Sequence, residues 1–588
     1  MARRLQNSAL FGLALFACAG TVHAAAPPNV LLIITDDQGY GDLGAHGNTM
    51  LKTPNLDRLH SESIRLTNFH VDPTCAPTRA SLLTGRFSTR TGIWHTIGGR
   101  SLMDPREQTL AQMFQANGFR TGQFGKWHLG DNAPLRPHDR GFDECLYCGG
   151  GGVTQLPDWY GNDYFDDTYR RNGVPEKCAG YCTDVWFREA SKFIEQNRNQ
   201  PFFCYLATNA PHSPYLVADE WKQPYVDAGV PEPMASFYGM IANIDDNIGR
   251  LLQQLDNWNL REDTIVIFLT DNGTAAGILP PTEKSEPNAA AWTGFNAGMR
   301  ERKGSQYDGG HRVPCFIRWP RGGLIGRRDV DQLTAHIDIL PTLVDLCGLQ
   351  KPEGPPIDGA SLRAVLNGDN AALRDRTLFV HTQRVEIPEK WRLSAVMTDE
   401  WRLINGQELY HIKADPSQVH DISADHTEIV TRLRNAYEEW WQSLTPRFGE
   451  SVAIDVGSPA ENPANLTSHD WHALPGKSAS QAVVFQDAVP KDPLSNGFWV
   501  VNVVETGTFK FILRTRPSHA PGPIYASHAQ VQAGGHNVET DLNPEAALAT
   551  LTLELSRGVH HLQTFLTNAE GQTRGAYFVE VRRLEGAR

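Results

Sequence analysis

The chain is short of positive charge. Its 588 residues carry 54 Lys and Arg against 67 Asp and Glu, a formal net charge of −13. That balance disfavours nonspecific binding to nucleic acid or anionic membranes. Any cations that hold an anionic substrate must therefore be concentrated locally. Long apolar runs are also missing. The one near the N-terminus, from about Ala9 to Gly20, is too short for a comfortable membrane span, and no later stretch is long enough. No transmembrane segment is expected in the mature chain. Cysteine is sparse, with 9 in all. Apolar content is ordinary at 40%, enough for large cores, and the length predicts several domains.

What stands at the N-terminus reads as a secretory signal over residues 1–25. Arg3 and Arg4 precede the apolar run, and small residues follow at Val22-His23-Ala24-Ala25-Ala26. This predicts an exported protein, periplasmic or secreted. Cys18 follows Leu15-Phe16-Ala17, and the bulky Phe16 argues against lipid anchoring there. In an exported chain, Cys145, Cys148, Cys178 and Cys182 are expected to pair as disulfides rather than bind zinc. They would staple a long loop and have no catalytic role.

Apolar runs of strand length recur along the next part of the chain: Asn29–Thr35, Phe119–Phe124, Phe202–Ala207 and Thr264–Thr270. Such runs suit parallel strands buried on both faces. Helical patterns lie between them, at about Pro54–Leu66, Thr109–Asn117, Asp184–Asn197 and Met234–Leu255. The alternation predicts an α/β sheet, in which ligands bind beyond the carboxyl ends of the strands. Four of these strands end in polar residues: Asp36 and Asp37, Lys126 and His128, His212, Asp271 and Asn272. Singly, each could be loop decoration. Together they predict one site.

The pattern changes near Asp375. Short strands at Trp401–Ile404 and Glu408–Tyr410 precede a helix over Thr427–Leu444, whose apolar face is expected to pack on a small sheet. Gly457–Ser468 is rich in Pro, Ser and Asn and reads as a linker. Beyond it, Phe509, Phe511 and Leu513 alternate, as do Leu551, Leu553 and Leu555, predicting antiparallel β structure in a small sandwich. The expected organisation is 26–374 catalytic, 375–450 a small antiparallel-sheet subdomain with its packing helix, 451–474 linker and 475–588 a β-rich accessory domain.

Asp36, Asp37, Asp271 and Asn272 offer only oxygen ligands, which suit Ca²⁺ or Mg²⁺ better than zinc. Cys75-Ala76-Pro77-Thr78-Arg79 precedes an apolar stretch ending at Gly85, as a helix start would. Cys75 would then lie at a helix N-terminus, where backbone N–H groups favour negative charge.

Cys75-Ala76-Pro77-Thr78-Arg79, followed by Leu83-Thr84-Gly85-Arg86, resembles the maturation signature of type I sulfatases, whose cysteine is oxidised to formylglycine, an aldehyde. The family more often has serine at the position of Thr78. T-D-D-Q-G-Y-G-D, G-K-W-H-L-G, A-P-H-S-P, T-D-N-G and K-G-S-x-Y-D-G-G-H-R-V-P resemble the remaining signatures, in the family's order, over roughly residues 28 to 445. The family usually has glutamate at the position of Asp308. The resemblance implies an alkaline-phosphatase-like α/β fold, with a large mostly parallel sheet flanked by helices, a small C-terminal α+β subdomain and an additional β-rich domain. It implies that Cys75 becomes formylglycine with the help of a maturation enzyme and hydrates to a geminal diol. Asp36, Asp37, Asp271, Asn272 and the modified Cys75 would hold one Ca²⁺, with Mg²⁺ as the alternative. Arg79 and His128 would position the diol, Lys126 and Lys303 would bind sulfate oxygens, and His212 would protonate the departing alcohol. The implied reaction is hydrolysis of a sulfate monoester, of a sulfated carbohydrate, through a sulfated diol. The alternatives are a phosphodiesterase or phosphonate monoester hydrolase of the same fold, or a non-catalytic binder of sulfated glycans.

Overall fold

A computed structural model describes residues 27–278, 294–369, 371–543 and 545–584. The signal segment expected over 1–25, with Cys18, lies outside the described residues. The largest element is a ten-stranded sheet. At its centre five strands run parallel, in the spatial order Thr264–Thr270, Asn29–Thr35, Phe202–Ala207, Arg120–Lys126, Glu144–Cys148. Antiparallel strands extend it on both sides, with Cys315–Arg318 against Thr264–Thr270 and Thr168–Arg171 against Glu144–Cys148. Every residue of Asn29–Thr35, Phe202–Ala207 and Thr264–Thr270 is buried. The alternate side chains feed two separate apolar cores, one on each face of the sheet.

Helices cover both faces. Met234–Asn257 and Cys182–Asn197 pack with Ile33, Leu206 and Phe268 on one side, and Cys75–Thr84 packs with Ile34, Tyr205 and Leu269 on the other. The helix expected over 54–66 stops at Glu62, and Ile64–Leu66 instead forms a strand against Cys315–Arg318. The β-branched Ile64 and the alternation of Ile64 and Leu66 suit that pleat. The long loop that the four cysteines were expected to staple contains Glu144–Cys148, the fifth parallel strand.

The expected disulfides are absent. All eight cysteines of the described residues are free and buried. On the Glu144–Cys148 strand, Cys145 faces one core and Cys148 the other, where Cys178 and Cys182 also lie. These thiols act as small apolar side chains.

A four-stranded antiparallel sheet, Leu378–His381, Ser394–Met397, Trp401–Ile404 and Glu408–His411, carries the helix Thr427–Leu444 on one face. After it come a seven-stranded and a four-stranded sheet sharing one core. The stretch expected to be a linker over 451–474 belongs to this sandwich. Ile454–Val456 pairs with Val501–Val503 of the strand Gly497–Val503, and Ala464–Thr467 pairs with Phe578–Val581. The prolines that suggested a linker lie outside both ladders: Pro459 sits between the strands, and Pro463 comes just before the first residue of the second, where no ladder N–H is lost.

One buried cation ties the small sheet to the catalytic part. Arg402 Nε donates to Asp308 Oδ1 at 3.0 Å, and its Nη2 donates to Asn68 Oδ1 at 2.9 Å and to His70 Nε2 at 3.2 Å. Arg402 and Asp308 side chains are both fully buried. The guanidinium thus engages a cluster of His70, Asp308 and His311 whose ligand atoms are close enough to hold a metal, and its hydrogen bonds give that cluster a structural use. Arg402→Ala would leave Asp308 ionised and buried, so a loss of about 3–5 kcal/mol is expected in urea unfolding. A loss below about 1 kcal/mol would show that the pair holds nothing together.

Candidate active site

Four neighbouring parallel strands deliver the polar residues to one edge of the sheet. Asp36 and Asp37 follow Asn29–Thr35, Asp271 and Asn272 follow Thr264–Thr270, Lys126 ends Arg120–Lys126, and His212 lies a few residues beyond Phe202–Ala207. The helix Cys75–Thr84 begins at the same place, with Cys75 as its first residue and only 2% exposed. Gly85 stops it in a left-handed conformation. Thr78, where the family more often has serine, uses its hydroxyl to donate to the Asp72 carbonyl at 2.9 Å.

The ionic contacts form three pairs. Lys126 Nζ lies 2.5 Å from Asp36 Oδ2, and Lys303 Nζ lies 2.5 Å from Asp37 Oδ1. Arg79, one turn after Cys75 on the same helix face, donates to Asp271 Oδ2 at 2.9 Å and 3.2 Å, and to the Lys126 carbonyl at 3.3 Å. Asn272 Nδ2 donates to Asp37 Oδ1 at 2.9 Å, and the Asp37 backbone N–H donates to Asp271 Oδ1 at 3.0 Å. Asp37 and His128 hold positive φ of 68° and 62°, a conformation that Asp and His adopt more readily than most side chains.

The carboxylates respond in opposite directions. Burial would raise Asp37, but Lys303 and His212 outweigh it and hold Asp37 well below the usual carboxylate range. Burial and the neighbouring Asp36 push Asp271 up to about 7, with Arg79 opposing. Burial pushes the Cys75 thiol up against the pull of Lys126 and Lys303, so the pocket does not favour a thiolate.

The donor set fits a hard cation. Asp36 Oδ1 and Asn272 Oδ1 are buried acceptors without a hydrogen-bond partner. Asp36, Cys75 and Asp271 each place a ligand atom within 4.8 Å of the others. Buried oxygens left without donors are what a cation of the Ca²⁺ or Mg²⁺ type satisfies.

The two histidines are fixed as particular tautomers. His128 Nε2–H donates to the Thr96 carbonyl at 2.8 Å, leaving Nδ1 as a bare acceptor, buried and without a partner. Burial and Lys126 hold its pKa well below the usual range. His212 Nδ1–H donates to the Ser213 carbonyl at 2.7 Å, and its Nε2 lies 3.8 Å from Asp37 Oδ2. Sequence reasoning missed a third imidazole here. The His469 ring, from the stretch read as a linker, lies 6.3 Å from the His128 ring. No motif or periodicity marked it, because only the tertiary fold brings it near.

The sulfatase family profile matches residues 28–349, more than half of the chain. The chain belongs to the sulfatase family. A second profile, of the C-terminal part of N-sulphoglucosamine sulphohydrolase, matches residues 302–442. Human N-acetylgalactosamine-6-sulfatase is 27% identical over 80% of this chain and 95% of its own length, and mouse arylsulfatase G is 29% identical over 75% and 90%. Among solved structures, Ps i-CgsB is 28% identical with a TM-score of 0.61, over 70% of this chain and 92% of its own, and it has also been solved in complex with k-i-k-neocarrahexaose. The sulfatase is thus a sulfuric ester hydrolase with an alkaline-phosphatase-like fold, extended by β sheets.

Asp42 closes the loop that carries Asp36 and Asp37, accepting from the Gly39 N–H at 2.8 Å. Burial pushes it up to about 7, against its bonds from Thr274 and Gly39. The folded state therefore binds this proton more tightly than the unfolded chain, and stability falls as pH rises from about 4 through about 7. Asp42→Asn is expected to stabilise the protein more at pH 8 than at pH 5 in denaturant titrations. An equal effect at both pH values would contradict the assigned shift.

Proposed function

We propose that the protein is an exported, formylglycine-dependent sulfatase that removes sulfate monoesters from a carbohydrate. One observation carries this reading: Cys75 opens a helix at the point where three buried carboxylates meet the buried Arg79 and Lys126 and the partly exposed Lys303. The N-terminal signal pattern supports export, and among the described residues no helix is long and apolar enough to cross a membrane. The sugar named for human N-acetylgalactosamine-6-sulfatase and the oligosaccharide bound to Ps i-CgsB support a carbohydrate substrate.

Formylglycine at position 75, made by a maturation enzyme, would supply a geminal-diol nucleophile and a route to expel sulfate by reforming the carbonyl. Ca²⁺ held by Asp36, Asp37, Asp271 and Asn272, together with residue 75, would supply Lewis-acid stabilisation of the developing charge. The chain's own groups do the rest. Arg79, anchored on Asp271 and the Lys126 carbonyl, fixes the helix start against the strand ends. Lys126 and Lys303 bring positive charge for the oxygens of the sulfate, lowering the repulsion met by a nucleophile. His128, with Nε2–H committed to Thr96, accepts a proton at Nδ1. His212, with Nδ1–H committed to Ser213, would act as the imidazolium, giving the proton on Nε2 to the leaving alcohol and returning to the neutral ring.

Three measurements test this reading. Peptide mass spectrometry across residue 75 of active enzyme from its native host should show the aldehyde in place of the thiol, and Cys75→Ser should be nearly inactive, since a serine sulfate has no second hydroxyl. Active enzyme carrying only the thiol would sink the proposal. Separately, His212→Ala should lower kcat/KM about 10²–10⁴-fold on a sugar sulfate, the usual worth of general acid catalysis, and far less on 4-nitrophenyl sulfate, whose leaving group needs no proton. Equal losses on the two substrates would remove His212 from the acid role.

A further inference from the structure

The β-rich part of the chain approaches His128 through the turn Ser468–Asp470. His469 is 2% exposed and its carbonyl accepts from the Gly98 N–H at 2.8 Å, which fastens the turn to the loop after Cys75's helix. His469 Nδ1–H donates to Asp470 Oδ1 at 3.1 Å. That leaves Nε2, on the opposite side of the ring, as an acceptor, and it is buried with no partner.

The loop it fastens to carries a complementary group. His95 Nδ1 accepts from the backbone N–H of Thr96 at 2.7 Å and of Ile97 at 3.3 Å. Its proton is therefore on Nε2, which is likewise buried and without a partner. His95 is 2% exposed, and His469 is near enough to influence it electrostatically. Thr96, next in the chain, is the residue whose carbonyl sets the tautomer of His128. One buried donor without an acceptor and one buried acceptor without a donor thus lie beside the pocket. Leaving both unmet is costly, and a ligand that both donates and accepts would satisfy them. A hydroxyl does so, whereas a sulfate or carboxylate can only accept.

We propose that His95 and His469 clamp a hydroxyl of the sugar ring that bears the sulfate, so that the β-rich domain supplies part of the substrate site; this rests on the carbohydrate sulfatase reading above. Asp470, which orients His469, also lines a cleft of about 290 Å³ between the two parts of the chain, with Asp131, Trp159, Arg170 and Arg514. The sugar therefore has polar and aromatic walls to extend along beyond the clamp.

The test compares the wild type with His469→Ala, His469→Gln and His95→Ala, each checked for folding by circular dichroism and thermal melting. The substrates are 4-nitrophenyl sulfate, which has no sugar hydroxyl, and a panel of N-acetylgalactosamine 6-sulfate, N-acetylglucosamine 6-sulfate and galactose 4-sulfate. Losing one hydrogen bond to a buried partner predicts that both alanine variants fall about 10–100-fold in kcat/KM on the best sugar sulfate. The fall on 4-nitrophenyl sulfate should be at least about tenfold smaller. His469→Gln, whose side-chain amide oxygen can accept, should recover part of the loss. Equal losses on both substrate types, or no loss on the sugar, would overturn the clamp and leave a bridging water in its place. A wild type that cleaves 4-nitrophenyl sulfate but none of the sugars would overturn it while sparing the sulfatase reading. A wild type inactive on every sulfate ester would overturn the reading beneath it.

Discussion

The site depends on keeping three buried carboxylates together. Asp36, Asp37 and Asp271 are at most 2% exposed and lie at the ends of two adjacent strands. Like charges at such separations cannot all persist in a low-dielectric interior unless opposite charge is fixed beside them. The protein fixes it with Lys126, Lys303 and Arg79, one cation to each carboxylate. Each cation comes from a different element: a strand end, a loop and a helix. The balance therefore exists only when all of these elements are docked, and the parallel sheet is what docks them. A hard cation added to this set would meet ligands already oriented, and would free positive side chains to face an anionic ester.

The same demand reaches into the flanking loops. Backbone in the left-handed region at Asp37 and His128 is anchored by a hydrogen bond at each residue, from the Asp37 N–H to Asp271 Oδ1 and from His128 Nε2–H to the Thr96 carbonyl. Strain of this kind persists only where the surroundings over-determine it. The small sheet adds a further brace through Arg402, which engages Asp308 in the motif that also contains Lys303.

Much of this could be read from the residues. Asn29–Thr35, Phe202–Ala207 and Thr264–Thr270 were legible to the residue, because a strand buried on both faces has an unbroken apolar run and a polar stop. Asp36, Asp37, Cys75, Lys126, Asp271 and Asn272 were legible because each sits at the end of such a strand, directly after it or at a helix start, whereas Lys303 reaches the same carboxylates from a loop. Glu144–Cys148 escaped notice because it is short and framed by Gly and Asp, and its pairing with Arg120–Lys126 is a long-range fact. The cysteine expectation failed for a similar reason: spacing in sequence says nothing about which face of a strand a thiol occupies. Ile454–Val456 and Ala464–Thr467 escaped because composition around edge strands resembles that of a linker. His95 and His469 carry no local signature at all, and only the packing of the turn against the loop after Gly85 brings them together.

The core of the β-rich part is not its own. Leu102, Leu135 and Leu156 of the catalytic part belong to the same apolar cluster as Trp471, Trp499, Phe509 and Phe511. A carbohydrate-binding module on a tether would sample many orientations and raise only the local concentration of substrate. A sandwich welded through shared leucines cannot be exchanged like a cartridge. Its evolution is bound to that of the catalytic sheet, so new preferences would arise by point changes across the seam and not by shuffling of whole modules.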